Sequence, residues 1–427
     1  MHLTPEEKEL GRRNFLKALA GTPALAVLGG AAMMRGPLKG GPVRAAGIAI
    51  GSHGKGHMFR PDPSHLQIVA IADINPDSLD LLEQEFAKRK KAPFKRYADW
   101  KEMLQKEDVE AVITAPPLSA HAEITVGCLE AGKHVFCEKM MAWDDAGCDA
   151  MVAAAKKSGK VVEIGYQRYY NRIYQAAYEG IVKAGQLGDV YQARLVWNRN
   201  KNWRREMKKP PRPDFDPRPY GYEDYEHLIN WRLYKKHSQG LTAELGSHMV
   251  NVSNWFFGSS PKAVIASGGV YRFKDGREVP DHIFVTFEYP DGRTVQFSST
   301  ESDPFEGNYE AFFGTKGTLI FEGEKNAYFF DHNESKGATT QIEVGPKTGP
   351  VMETTESRPP DASGRTATAA GGSGPDTGDP YKAEIHRWAA AIRTGVPVIC
   401  GPEKASYSAK ACIRANQALE AGKKLDV

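Results

Sequence analysis

Apolar and polar positions follow two periodicities over residues 43–164. Short apolar runs, such as VRAAGIAIG and LQIVAIAD, are typical of buried strands. Between such runs the apolar residues recur every three or four positions, as Leu79, Leu82 and Phe86 do, and this spacing predicts amphipathic helices. Because strands and helices alternate at this pitch, the sequence predicts an α/β domain with a doubly wound parallel sheet of the Rossmann type.

The pattern changes in the second part of the chain, where from Val190 on longer strands such as VYQARLVWNRN and HIFVTFEYPDGRTVQFSST appear. The second of these contains Asp291-Gly292, a hairpin signal between two alternating runs. Residues 165–427 are therefore expected to form a C-terminal α/β domain with a large open mixed or antiparallel sheet. Within it, residues 353–380 are rich in Gly, Ser, Thr and Pro, a composition that predicts a mobile loop.

The segment before the first strand, residues 1–42, is similar to a twin-arginine export signal. Arg12 and Arg13 precede FLKALAG and a moderately apolar stretch, with Gly11 where Ser or Thr is usual. Pro23 and the neighbouring glycines argue against a membrane-spanning helix, which needs about 20 strongly apolar residues. The resemblance implies export to the periplasm by the twin-arginine machinery, with membrane tethering if the signal stays uncleaved.

Composition excludes several other classes of function. The net charge is +3 and no long basic run is present, which argues against nucleic acid as a partner. The five cysteines are odd in number, widely spaced and free of CxxC, which argues against both a disulfide framework and a zinc site. We therefore expect a globular protein with a small-molecule ligand and no metal.

The turn after the first strand, GSHGKGH, carries Gly51, Gly54 and Gly56. Aligned with the dinucleotide fingerprint G-x-G-x-x-G, Gly51 and Gly56 match and His53 takes the middle position. Asp73 ends the second strand about 20 residues later, where a carboxylate binds the ribose hydroxyls and repels a 2′-phosphate. A plain glycine turn is the alternative, but this context predicts NAD, with NADP as the second choice.

An ion pair follows the buried strand in HVFCEKMM, residues 134–141. Ligands of open α/β sheets bind beside the carboxyl ends of the strands, where Glu138 and Lys139 lie. Lys139 is thus expected beside the nicotinamide, where burial and the positive ring lower its pKa and make it a proton acceptor. Glu138 would hold this lysine or contact the ribose. The alternative is a surface salt bridge.

A third motif, AELGSHMVN, places Glu244 and His248 four residues apart on one helix face, with Asn251 on the same side. Histidine carries protons near neutral pH, and a neighbouring carboxylate would fix its orientation. A buried core histidine and half of a metal site are the alternatives. No HExxH pattern or third ligand supports the metal site.

These motifs, together with APPLSAH (115–121), AGKHVFCEK (131–139) and GSHMVN (246–251), resemble the glucose–fructose oxidoreductase / inositol dehydrogenase (Gfo/Idh/MocA) family. The resemblance runs from residue 43 to the C-terminus. It implies a Rossmann domain, a second domain whose open sheet makes homodimer or homotetramer contacts, a nicotinamide cofactor, and a sugar, polyol or related substrate.

The motifs and the resemblance together assign a set of site residues. Three positions depart from the family pattern: Met140 stands where proline usually follows the lysine, His53 replaces the middle glycine, and Asn251 replaces a frequent aspartate. The assigned residues are Lys139, His248 and Glu244 for catalysis; Gly51, His53, Gly54, Gly56, Asp73, Ala115, Pro116, His121, Glu138 and Lys139 for the cofactor; and Lys139, Arg168, Trp231, Arg232 and His248 for the substrate.

Three functions fit these residues. The first is an exported NAD(P)-dependent sugar or polyol dehydrogenase that holds its cofactor tightly, with Lys139 and His248 in proton transfer. The second is a glycosidase that oxidises C3 transiently and eliminates the glycosidic group. It needs an additional base, for which Glu244, His248 and the tyrosines Tyr166 and Tyr169 are the candidates. The third is a noncatalytic NAD- or sugar-binding protein, whose binding would survive replacement of Lys139.

Overall fold

The computed structural model begins with helix α1 (Pro5–Ala20). The predicted mobile loop at 353–380 lies almost wholly outside the described residues, as does the stretch at 21–36 that follows α1. The described residues are 3–20, 37–51, 53–207, 212–332, 340–345, 349–354 and 379–427.

The first domain is the predicted doubly wound sheet, and all of its strand pairs are parallel. The strand order is β3-β2-β1-β4-β5-β6, which reverses direction between β1 and β4 and opens a crevice beyond their carboxyl ends. The strands are β1 (Val43–Ile48), β2 (Leu66–Ala72), β3 (Lys95–Tyr97), β4 (Ala111–Thr114), β5 (His134–Glu138) and β6 (Val162–Gly165). The helices between them are α2 (Gly54–Phe59), α3 (Pro76–Lys88), α4 (Trp100–Lys106), α5 (His121–Glu130) and α6 (Asp145–Ser158).

The second domain is built on a mixed sheet of eight strands in the order β13-β12-β11-β7-β10-β9-β8-β16. Only β7 and β10 pair in parallel. The predicted hairpin forms between β9 and β10, and Gly292 in its turn has φ 84°, which a glycine adopts without strain. These strands are β7 (Val190–Asn198), β8 (Ala263–Gly269), β9 (His282–Glu288), β10 (Thr294–Thr300), β11 (Asn308–Gly314), β12 (Gly317–Glu322), β13 (Asn326–Asp331) and β16 (Leu425–Asp426), and β14 (Thr340–Gly345) pairs separately with β15 (Gly349–Thr354).

The helices of the second domain do not all pack on its own sheet. They are α7 (Arg172–Ala177), α8 (Tyr225–Ile229), α9 (Ser247–Phe257), α10 (Pro380–Thr394) and α11 (Pro402–Ala421). Ile385, Trp388 and Ala389 of α10 are buried in one core with strands β1, β4 and β5 of the first domain. The chain after residue 380 therefore returns to the Rossmann sheet and ties the two domains together.

Helix α1, which contains the arginine pair, packs against edge strand β13. Gly11 lies where a side chain would meet Tyr328 and the Phe330 ring, and Phe15 and Leu19 are buried. Arg12 and Arg13 stay exposed. Covering an edge strand with a helix protects it from pairing with another chain.

One face of the second sheet stays open to solvent. Phe284 is 64% exposed there and Ile265 45% exposed, beside the polar side chains of Arg194 and Gln296. Within the described ranges, no helix combines the length and the apolar character needed to cross a membrane.

Candidate active site

A cleft in two lobes lies between the strand ends of the first sheet and the second domain. The first lobe, of about 540 Å³, lies beyond β2, and the second, of about 620 Å³, lies beyond β5. Ligand pockets commonly have volumes of about 300–1,000 Å³, so the two lobes together are large enough for a dinucleotide and a small substrate. The residues that border both lobes are Gly51, Ala115, Pro116, Arg205 and Trp231.

The glycine turn uses a different register from the one that the sequence predicts. Ala49, directly after β1, has φ 55°, the backbone conformation that the first fingerprint glycine usually supplies. Helix α2 starts at Gly54, where a side chain would stand 3.1 Å from Ala115 Cβ, as expected of the third glycine. The fingerprint is therefore Ala49-x-Gly51-x-x-Gly54. His53 does not replace its middle glycine, and Gly56 lies inside α2 and outside both lobes.

This turn and Asp73 form a cradle that fits a dinucleotide. Nothing lies within 4 Å of a Cβ built on Gly51, so the main chain can approach a pyrophosphate. Asp73, at the end of β2, lines the first lobe and accepts a hydrogen bond from the Asn75 amide at 2.8 Å. Burial raises the pKa of Asp73 to about 6, although the Asn75 and Ile50 amides oppose the rise. The Asp73 carboxylate is thus placed to accept hydrogen bonds from the adenosine ribose hydroxyls of NAD.

Glu138 is fixed by two histidines at the end of β5. His57 of α2 contacts its Oε1 directly, and His53 Nε2 lies 3.3 Å from the same oxygen. The Lys139 amide donates to Oε2 at 3.2 Å. Burial alone would raise the pKa of Glu138, but the two histidines outweigh it and hold the pKa well below its usual range. The carboxylate is therefore charged, and His53 belongs to this network and borders the second lobe.

Lys139 reaches across the cleft to the second domain. Its Nζ donates a hydrogen bond of 2.8 Å to the main-chain carbonyl of Glu244. That carbonyl belongs to a π-helical turn, Thr242–Gly246, which precedes α9 and leaves main-chain groups free for such contacts. Burial lowers the pKa of Lys139, while the Glu244 and Glu138 carboxylates oppose that change. The second lobe thus contains an amine that gives up its proton more readily than a surface lysine.

The expected pairing of Glu244 with His248 is not formed. The Glu244 carboxylate accepts instead from Arg232 Nε at 2.9 Å, because a guanidinium is a stronger partner for a buried carboxylate than a neutral imidazole. His248 lines the second lobe near the Trp197 ring, and its buried Nδ1 has no hydrogen-bond partner among the described residues. Burial, followed by Lys139, holds the pKa of His248 well below its usual range, so the ring is neutral.

The remaining assigned residues separate into two groups. His121, Trp231 and Arg232 border the second lobe, and His121 Nε2 lies 3.1 Å from the Pro116 carbonyl. Arg168 does not reach the cleft, contrary to the expectation from sequence. Its side chain is 2% exposed and makes ion pairs of 2.8 Å with Glu310 and 2.7 Å with Glu324. Strand β11 carries Glu310 and the turn after β12 carries Glu324, and both bring their acids beneath the cleft floor.

Sequence reasoning missed a wall of the second lobe formed by WNRNKNWRR, the end of β7 and the residues after it. Trp197, Arg199, Trp203, Arg204 and Arg205 of this segment all line the lobe. The Arg199 guanidinium lies 4.7 Å from the centre of the Trp203 ring. Tryptophan and arginine interleaved directly after a long strand were the available signal for a ligand-binding wall.

Two family models match the chain. The oxidoreductase family GFO/IDH/MocA, with an NAD-binding Rossmann fold, matches residues 45–166. The GFO/IDH/MocA C-terminal domain matches residues 175–320. Together the two models cover more than half of the chain.

Curated relatives and solved structures give further similarities. The chain is 32% identical over 163 residues to an inositol 2-dehydrogenase of Salmonella paratyphi B, covering 38% of this chain and 46% of that protein. The chain thus spans about half the length of that relative. It is 22% identical over 316 residues to a levoglucosan dehydrogenase of Pseudarthrobacter phenanthrenivorans, covering 67% of this chain and 74% of the relative. A WlbA dehydrogenase from Bordetella pertussis, solved with NADH and UDP-GlcNAcA, has TM-score 0.66 at 15% identity, covering 90% of this chain and 99% of that chain, and shows the fold alone.

Replacing one glycine at a time tests the register of the turn. We expect Gly51→Val to fold but to lose NADH binding, because its side chain fills the open space over the cradle. Gly56→Ala should bind NADH normally, since its methyl group meets only the flexible end of Arg60. NADH fluorescence titration measures both variants. Loss of NADH binding in Gly56→Ala would instead favour the register predicted from sequence, because Gly56 is the third glycine only in that register.

The raised pKa of Asp73 predicts that NADH affinity depends on pH. The carboxylate accepts hydrogen bonds from both ribose hydroxyls, whereas the protonated form is a weaker acceptor. With a pKa of about 6, Asp73 becomes mostly protonated by pH 5. The Kd should rise about tenfold from pH 8 to pH 5, whereas a carboxyl with an ordinary pKa would change it little. Asp73→Asn should bind more weakly at pH 8 and show no such dependence. An equal pH dependence in that variant would assign the effect to another group.

Proposed function

From the premise that the chain belongs to the Gfo/Idh/MocA oxidoreductase family, we propose that it is an NAD-dependent oxidoreductase acting on a CH–OH group of a sugar, polyol or sugar derivative. NAD, when bound, supplies the hydride acceptor for this oxidation. The observation that carries the proposal is the position of Lys139, a buried amine with a lowered pKa at the end of β5.

Lys139 acts as the proton acceptor. As a neutral amine it takes the hydroxyl proton of the substrate while the hydride leaves the same carbon, so the alcohol becomes a carbonyl. The Glu244 carbonyl fixes the position of Nζ without neutralising the charge that the amine gains. The carboxylates of Glu244 and Glu138 then stabilise the ammonium form.

His248 holds the substrate hydroxyl beside the lysine. Its ring is neutral, so one nitrogen can donate and the other accept a hydrogen bond. Arg232 binds the Glu244 carboxylate, so this carboxylate does not pair with the His248 ring. The same ion pair keeps Glu244 negatively charged next to Lys139. Glu244 thus acts on the lysine and not on the histidine.

Polar and aromatic groups around the second lobe support a sugar or polyol as substrate. Arg232 lies 4.2 Å from the centre of the Trp231 ring, and Arg199 covers Trp203 in the same way. Tryptophan faces pack against the apolar C–H faces of sugars, while guanidinium groups donate to their hydroxyls. Two relatives, an inositol 2-dehydrogenase and a levoglucosan dehydrogenase, are named for substrates of this class.

The glycosidase alternative loses two of its candidate bases. Tyr166 and Tyr169 are 1% and 2% exposed and do not border either lobe in the described residues. Glu244 or His248, which line the second lobe, would have to supply the additional base for the elimination. The noncatalytic alternative differs from both enzyme proposals because it predicts no turnover at all, and ligand binding that survives replacement of Lys139.

The proposal includes an exported protein that works as a homodimer or homotetramer. The exposed Arg12-Arg13 pair supports recognition by the twin-arginine machinery, which carries folded proteins to the periplasm. Phe284 and Ile265 on the open sheet face support association of copies through that face. NAD is scarce outside the cytoplasm, so an exported enzyme would hold its cofactor and recycle it on the site.

Replacing Lys139 tests the catalytic proposal. Lys139→Met should lower kcat by about 10²- to 10⁴-fold, because no other group takes the proton, and should leave NADH binding intact. Absorbance in the reduced-nicotinamide band reports turnover with sugars and polyols added one at a time, and released aglycone reports the glycosidase cycle.

Lys133→Met is the matched control for this variant. Lys133 also donates to a main-chain carbonyl, that of Val109 at 2.9 Å, but lies outside the cleft. It should retain wild-type turnover. Full activity in Lys139→Met would exclude both enzyme proposals as written.

Replacing the arginine pair tests export. Arg12→Lys with Arg13→Lys should leave the protein in the cytoplasm, since the machinery distinguishes arginine from lysine. The thermal unfolding temperature should not change, because both side chains are exposed. Cell fractionation measures the first effect, and unaltered periplasmic yield would contradict the twin-arginine proposal.

A further inference from the structure

One segment of the second domain closes the first lobe opposite the Rossmann sheet. We call this segment, residues 212–231, the strap. On the other side of the lobe lie Asp73 at the end of β2 and Trp100 at the start of α4. The strap residues that line the lobe are Pro219, Tyr220, Tyr222, Leu228, Ile229 and Trp231.

The strap is held firmly by its own domain. Glu226 in α8 accepts from Arg204 and from the Tyr234 hydroxyl, and Asn230 donates to it at 3.0 Å. Arg204 also pairs with Asp275 at 3.2 Å. Charged hydrogen bonds in a partly buried network fix side chains more strongly than isolated surface contacts. The strap is therefore anchored to the second domain by charged contacts.

The strap is attached to the first domain only lightly. Arg212 Nη1 donates to Asp80 Oδ2 at 3.0 Å, and the Tyr225 hydroxyl donates to Asp77 Oδ2 at 3.4 Å. Both carboxylates belong to α3, the helix that follows Asp73. Arg212 and Asp80 are 39% and 41% exposed, and such surface pairs stabilise a contact only slightly. We call these two contacts the latch.

The lobe under the strap matches the adenosine half of a dinucleotide. In a sheet of this strand order, the acid at the end of β2 binds the adenosine ribose. Tyr222 is buried beside this acid and stacks on His237 with 4.3 Å between ring centres, while Tyr220 is 45% exposed. Arg205 borders both lobes together with Gly51, at the junction where the turn receives a pyrophosphate. The strap thus supplies aromatic and cationic groups of the type that bind a nucleotide.

We propose that the strap closes over the adenosine half of the bound dinucleotide and, through its latch on α3, slows release of the cofactor between turnovers. The inference rests on the proposed function, since it requires a nicotinamide dinucleotide in the cleft. The strap would give a physical reason why the enzyme retains its cofactor, because NAD cannot leave the first lobe until the Arg212 and Tyr225 contacts open.

The dissociation rate of NADH tests the strap. Stopped-flow fluorescence follows NADH leaving the full chain when excess NAD is added. The double variant Arg212→Ala, Tyr225→Phe removes the latch from exposed or half-buried positions, so folding should not suffer. We expect NADH to leave roughly three- to tenfold faster than from the wild type.

Two controls separate the strap from other causes. Arg218→Ala removes a strap arginine that, among the described residues, pairs only with Asp216 beside it and is 74% exposed, so the variant should release NADH at the wild-type rate. Reduced nicotinamide mononucleotide lacks the adenosine half, so its dissociation should be the same in the wild type and the latch variant. Equal NADH rates in those two proteins, or an equal acceleration for the mononucleotide, would overturn the strap proposal. Failure of the wild type to bind NADH at all would instead overturn the proposed function.

Discussion

The hydrogen bond from Lys139 to the Glu244 carbonyl is the contact on which the site depends. It joins the end of β5 in the first domain to the π-helical turn before α9 in the second. A buried ammonium needs a polar partner, and a main-chain carbonyl supplies one without adding a charge. The lysine can therefore lie buried in the cleft with a lowered pKa. Its Nζ is held 2.8 Å from the Glu244 carbonyl oxygen of the second domain.

Two carboxylates near this contact are each paired with a basic side chain. Glu138 is held by His53 and His57, and Glu244 by Arg232. These partners keep both carboxylates ionised despite burial, so their negative charge offsets the desolvation of Lys139. This arrangement is consistent with the proposed role of Lys139 as proton acceptor, because the carboxylates would stabilise its charged form.

Local sequence signals located the groups whose position depends on a strand end. Lys139, Asp73 and Gly51 were predicted at one edge of the sheet because the carboxyl ends of parallel strands meet there, and all three line the cleft. Arg168 was wrong because the acids that bind it come from β11 and the turn after β12, more than a hundred residues away. The fingerprint register was wrong because an alanine, Ala49, takes the positive φ that glycine normally marks.

By itself the sequence determined the two-domain α/β architecture, the strand-end lysine and acid, and the residues that resemble the family. Periodicity and strand ends are local properties, so they can be recognised without knowing what lies opposite. Only the tertiary structure decided that Glu244 serves Lys139 and not His248, that residues 197–205 line the second lobe, and that residues 212–231 cover the first. Those relations join side chains from separate elements across the domain boundary, and no spacing along the chain encodes them.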